Sequence, residues 1–183
     1  MDNHDFQPGI HGPRGDSGTA RVGARYPSGY SEHGAMAIRL LNRALAIAQA
    51  AARRCERQYA AALRSHAPAL AAAALTHAND AELHARLISA RIGELGGETS
   101  VADLTPNATI SPNPSEARLV KSLPALLCSH LMAERDAIKS YFEIASFFRP
   151  FDAATRNVIE EIAASAEKRK HELSGLLAAI SNS

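Results

Sequence analysis

Between Leu70 and Gly97 one spacing recurs without a break. Leu70, Ala74, His77, Ala81, His84, Ile88, Arg91 and Leu95 follow one another at alternating intervals of four and three. That seven-residue repeat lines a single helical face and lays the helix along a bundle seam. Apolar side chains are expected at every such position, yet two histidines and an arginine stand among them. Polar groups placed in a core destabilise it unless they are partnered. Other helices must therefore bring polar residues to the same depth.

Three further segments carry the same period. A first helix is expected from His33 to Arg64, with the seam Ile38, Leu41, Leu45, Ala48, Ala52, Cys55 and Tyr59. Arg43, Arg53, Arg54, Glu56 and Arg57 fall off that seam and read as solvated positions. Pro68 suits the first turn of the second helix, and Gly96-Gly97 suits its C-terminal stop. A third helix, capped by Ser122 with Pro124 in its first turn, carries Leu127, Leu131, Glu134, Ile138, Tyr141, Ala145 and Phe148. Pro150 closes it. Asp152 caps a fourth, whose seam is Val158, Ile162, Ala166, Arg169, Leu173, Leu176 and Ile180.

Residues 98–121 hold Pro106, Pro112 and Pro114 among Asn, Ser and Thr, too long for a hairpin and too broken for a helix. Such a link serves best as a crossover running the length of a bundle. The expected fold is all-α: a four-helix bundle over residues 32–183, with one long crossover between the second and third helices. Residues 1–31, rich in Gly, Pro, Ser and Arg, read as a flexible N-terminal arm. Arg14, Arg21 and Arg25 in that arm are offset by Asp2, Asp5, Asp16 and Glu32, which favours a solvated arm over a nucleic-acid tail.

Composition supports this reading. Helix-forming residues dominate, tryptophan is absent, and the formal net charge of +1 gives no general grip on nucleic acid or anionic lipid. No apolar run is long enough to span a membrane, and a signal-peptide pattern is missing, so a cytoplasmic protein is expected. Cys55 and Cys128 match neither a zinc spacing nor a disulfide framework. Both are expected as small buried thiols, at a similar level of the first and third helices.

Each seam is interrupted near its centre: Ala48 on the first helix, Ala81 and His84 on the second, Glu134 on the third, Ala166 and Arg169 on the fourth. At this depth the sequence resembles the ferritin-like superfamily, in its bacterioferritin and Dps-like branch. HANDAELHARLISARIGELGG resembles the family's second helix, AERDAIKSYFEI its third, EEIAASAEKRKHELSGLL its fourth, and LLNRALA the start of its first. The likeness runs from about Ala35 to Ile180.

What the resemblance implies for metal is a depleted site. Members of this kind hold two metal ions with one Glu from each of two helices and Glu-x-x-His from each of the other two. The helix-one glutamate falls at Ala48, with Gln49 beside it on another face. The first Glu-x-x-His falls on Ala81 and His84, the helix-three glutamate on Glu134, and the last Glu-x-x-His on Ala166 and Arg169. His84 and Glu134 are the residual ligand positions, and one carboxylate cannot bridge two cations. The methionine of haem-binding members falls at Glu82, so no haem is expected. Replacement ligands would have to come from Asp80, Glu82, Glu167, His77 or His171. The first three lie about 100° round their helices from the seam, and His77 lies about 10 Å along the axis from His84.

The expectation is therefore a non-catalytic ferritin-like subunit without cofactor, in which Glu134 and Arg169 form an ion pair where metal once sat. Family kinship links such a subunit to iron storage and oxidative-stress protection through a structural or assembly role. The alternatives are an iron-binding or iron-oxidising protein with a rebuilt site, and Dps-like DNA binding through the arm. Of the apolar residues off the seams (Leu63, Leu83, Leu87, Phe142, Phe147 and Phe151), some broaden the core stripe, and the remainder point to a homo-oligomer, at least a dimer, or to a hetero-oligomer with an active ferritin-like paralogue.

Overall fold

The computed structural model describes residues 33–100 and 122–181. The arm and most of the crossover lie outside the described residues. Four helices make up the rest: α1 (Gly34–Arg64), α2 (Pro68–Glu94), α3 (Leu123–Phe148) and α4 (Ala153–Ser181). No helix is long and apolar enough to cross a membrane among the described residues.

Local chemistry sets the ends. Pro68 stands in the first turn of α2, where its missing N–H is no loss. Past Glu94 the chain turns through Gly96 at φ 72°, a conformation that costs glycine nothing. Gly97 N–H then bonds Ile92 O at 2.9 Å and Gly96 N–H bonds Gly93 O at 2.9 Å, the double bond of a Schellman stop. A Cβ on Gly97 would collide with the Ile38 side chain, so glycine there also permits close approach to α1. Asn42 fastens the start of the crossover, donating to Glu98 O at 3.1 Å and accepting from Ser100 N–H at 2.8 Å. Asp152 caps α4 through Oδ1, which accepts from Thr155 N–H at 2.9 Å. Ser122 behaves otherwise than expected: it stands at the α3 N-cap, but its side chain makes no capping bond.

Cross-helix contacts fix the directions. Arg43 meets Ser140 and Glu143, while Cys55 meets His130, so α1 and α3 are antiparallel. His77 meets Glu172 and Arg91 meets Asp152, so α2 and α4 are antiparallel too. The remaining neighbours are α1 with α2 and α3 with α4. Gly97 and Glu98 lie against Ile38 and Asn42, so α2 ends beside the start of α1; α2 and α3 therefore run in the same direction, and the end of α2 and the start of α3 lie at opposite ends of the bundle.

The interior has two apolar ends. The larger cluster gathers Leu41, Leu45, Ile88, Ile92, Tyr141, Phe148, Ile159 and Ile162. The smaller gathers Ala62, Leu70, Ala71, Leu127 and Leu173. Phe147 and Phe151 are among the off-seam residues that broaden the core: both pack on the larger cluster, in ring contact with each other at 5.3 Å. Cys128 is exposed, contrary to expectation, while Cys55 is buried. The residue on the inner face one turn into α3 is Leu127, and Cys128 sits next to it, turned outward. Between the two apolar ends lies a polar layer.

Candidate functional site

Glu134 is the centre of that layer. Its position on the α3 seam buries it completely, and each carboxylate oxygen is engaged. Oε2 accepts from Arg169 Nη2 of α4 at 3.1 Å. Oε1 faces His130 Nε2, one turn earlier on α3, at 3.2 Å, and Arg54 Nη2 of α1 at 3.8 Å. Burial alone would push the Glu134 pKa up. The hydrogen bond from His130 and the charges of Arg169 and Arg54 outweigh it and hold the group below its usual 4.5. Glu134 is therefore ionised at neutral pH.

Each ring nitrogen of His130 meets an oxygen: Gln58 Oε1 on the Nδ1 side, Glu134 Oε1 on the Nε2 side. An imidazolium can donate to both. A neutral ring protonated at Nε2 donates to Glu134 alone, and the Gln58 amide then turns its NH2 towards Nδ1. Cys55 Sγ lies 3.9 Å from the same Nε2. Burial pushes that thiol up to about 11, so it is protonated and unreactive at neutral pH. His84 is half-buried; burial and the Arg169 charge push its pKa below 6.5, leaving it neutral at pH 7.

The residues singled out by sequence separate into two groups. Glu134 and Arg169 are in contact, and Ala48, Ala81 and Ala166 are all buried, each no more than 2 % exposed. Among possible replacement ligands, Glu82, Glu167 and His171 are exposed and Asp80 is half-buried. Gln49 is half-buried as well. His77 is buried but turned towards Glu172 at 2.7 Å. Among the described residues no group of three or more His, Cys, Asp or Glu converges as a metal site would require.

Sequence reasoning missed His130, Gln58 and Arg54. The His130-x-x-x-Glu134 spacing was available as a signal, because residues four apart share a helix face. Arg54, expected in solvent, has a side chain only 22 % exposed. Its long stem lets a residue beside the seam reach inward.

The chain has recognisable relatives. The family model described as a ferritin-like domain matches residues 38–183. Bacterioferritin from Desulfovibrio desulfuricans, a protein with a diiron site, superposes with a TM-score of 0.70 at 22% identity, over 81% of this chain and 82% of that one. The bacterioferritin-related dodecameric thioferritin of Bacteroides fragilis superposes with a TM-score of 0.65 at 23% identity, over 81% of this chain and 88% of the other. No curated protein matches the sequence. With the family match covering all four helices, and the same fold in both solved structures, the chain belongs to the ferritin-like family.

Proposed function

We propose that this chain is a non-catalytic ferritin-like subunit in which an ion-pair network stands where its relatives hold two iron ions. One observation carries the reading: the Arg169 guanidinium is hydrogen-bonded to Glu134 at 3.1 Å, on the carboxylate that would have to bind metal. Arg54 adds a second positive charge 3.8 Å from the same group. A divalent cation entering between them would meet like charge and lack carboxylates to replace its hydration shell. Alanines 48, 81 and 166 supply no ligand atom.

The iron-oxidising alternative draws support from kinship with a diiron protein. Its ligands would have to come from the exposed Glu82, Glu167 or His171, from half-buried Asp80, or from His77, which is engaged with Glu172 at 2.7 Å. Aerobic oxidation of ferrous ion by the purified protein, with metal content measured alongside, decides between the two. We expect oxidation at the rate of iron in buffer alone and no stoichiometric iron; a pair of bound irons per chain would overturn the proposal. DNA binding through residues 1–31 would show as salt-dependent affinity lost on removing them.

Assembly is the remaining role for such a subunit. Leu83 and Leu87 lie one turn apart on α2, 49 % and 45 % exposed, with Leu75 on the same helix and Leu63 at the end of α1. Apolar side chains at this density on two adjacent helices favour a partner surface. We expect at least a dimer through α1 and α2; a monomer at micromolar concentration in light scattering would refute it.

A further inference from the structure

The polar layer is charged unevenly. Two guanidinium groups, Arg54 and Arg169, face one carboxylate, Glu134. Glu134 pairs with Arg169, whose side chain is only 4 % exposed, so the surplus charge falls on Arg54, 22 % exposed and 3.8 Å from the same carboxylate. Burial also draws the Arg54 pKa below 12.5, though a guanidinium remains charged at neutral pH.

The N–H inventory points the same way. Arg54 Nε and Arg169 Nε are buried donors without a protein acceptor, and the Gln58 Nε2 group is a third. Turning the Gln58 amide over would satisfy His130 and remove the third, but it leaves both arginine donors as they are. Natural interiors rarely leave such groups orphaned. The buried residues at this level of the seams are small: Ala51, Ala52 and Ala81 form a buried cluster of their own, and the seam alanines Ala48 and Ala166 are buried too. Small side chains thus line a layer that has surplus positive charge and unused donors.

We infer that this layer binds a small monovalent anion of the halide type, held by Arg54 and Arg169 with the Gln58 amide beside them. The inference rests on the proposal that the ion-pair network, and not iron, occupies the centre of the bundle. A halide fits on two counts. It accepts several N–H bonds at once from unrelated directions, and a single negative charge cancels the surplus of the two arginines over Glu134. A water molecule could accept from the same donors, but it would leave the charge uncompensated.

Crystals of the full chain grown with bromide as the halide test this directly, with metal measured in the same crystals by X-ray fluorescence. We expect an anomalous bromide peak within hydrogen-bond reach of Arg54 Nε and Arg169 Nε, and no iron. In solution, thermal unfolding at constant ionic strength should rise with the logarithm of bromide as it replaces gluconate, as for any ligand bound only by the folded state. Arg54, whose side chain reaches the surface in part (22 % exposed), gives a variant that can fold: Arg54→Lys keeps the charge, loses the Nε–H donor, and should lose most of the bromide dependence. An iron-free crystal without the bromide peak overturns the anion site and leaves the proposed function standing. Iron at Glu134 overturns both. A bromide dependence unchanged in Arg54→Lys also counts against the site.

Discussion

Replacing Arg169 by alanine should destabilise the protein by about 3 kcal/mol, at the lower end of what losing one partner of a buried ion pair costs. The reason is the residue left behind. Glu134 is fully buried, and without Arg169 its Oε2 loses its charged donor. His130 and Arg54 still reach Oε1, which keeps the loss from being larger. Removing both partners, Glu134→Ala with Arg169→Ala, should cost less than removing Arg169 alone, because no buried carboxylate then lacks a partner. Urea unfolding of the two single variants and the double variant measures this. A double variant no more stable than Arg169→Ala would show that the pair contributes nothing specific.

The same pair sets a pH dependence. The folded-state pKa of Glu134 is depressed below 4.5, so its contribution is complete above the unfolded value. It fades as pH falls through the folded one. His84 acts earlier: its folded pKa lies below 6.5, so the unfolded chain takes up that proton first and stability begins to decline below about 6.5. In Arg169→Ala the Glu134 part of the acid loss should shift to higher pH.

How far the sequence reached follows from what each pattern encodes. The seams of α1 to α4 were legible because a period of three and four residues determines which face is buried, and Leu41, Leu45, Ile88, Ile162 and Leu173 lie where that period puts them. Direction was legible from the long proline-containing link, since consecutive helices that run in the same direction need one, whereas antiparallel ones can be joined by a short turn. The Glu134–Arg169 contact followed from two polar interruptions at one depth. His130, Gln58 and Arg54 did not follow, because they stand one step beside a seam. Whether such a residue turns in or out depends on side-chain length and on a partner from another helix. Cys128 failed for the complementary reason: equal height on two helices says nothing about rotation around each. The same limit applies to the exposed Leu83 and Phe142, which a broad apolar stripe would equally well have buried.

Iron binding should return when the ligand set is rebuilt, but only if Arg54 is changed as well. Ala48→Glu, Ala81→Glu and Ala166→Glu together with Arg169→His supply the four missing ligands beside His84 and Glu134, the set used by ferritin-like diiron proteins. In that fourfold variant Arg54 would still lie 3.8 Å from Glu134, holding a bridging ligand and repelling the incoming cation. Adding Arg54→Gln removes that charge and keeps a polar group at the half-buried position. The fivefold variant should bind about two ferrous ions per chain under anaerobic loading, and the fourfold one at least about tenfold more weakly, a difference of roughly 1.4 kcal/mol. Without metal both variants should be less stable than the parent, since four carboxylates would then crowd one buried layer. Ferrous ion should restore the fivefold variant's unfolding temperature, because metal bound only by the folded chain adds its binding energy to folding. Iron content after desalting and unfolding temperature with and without iron are the two measurements. A fivefold variant that is helical by circular dichroism yet retains no iron would count against the loss of ligands as the reason this layer does not bind iron. Equal iron binding by the fourfold variant would mean that Arg54 does not guard it.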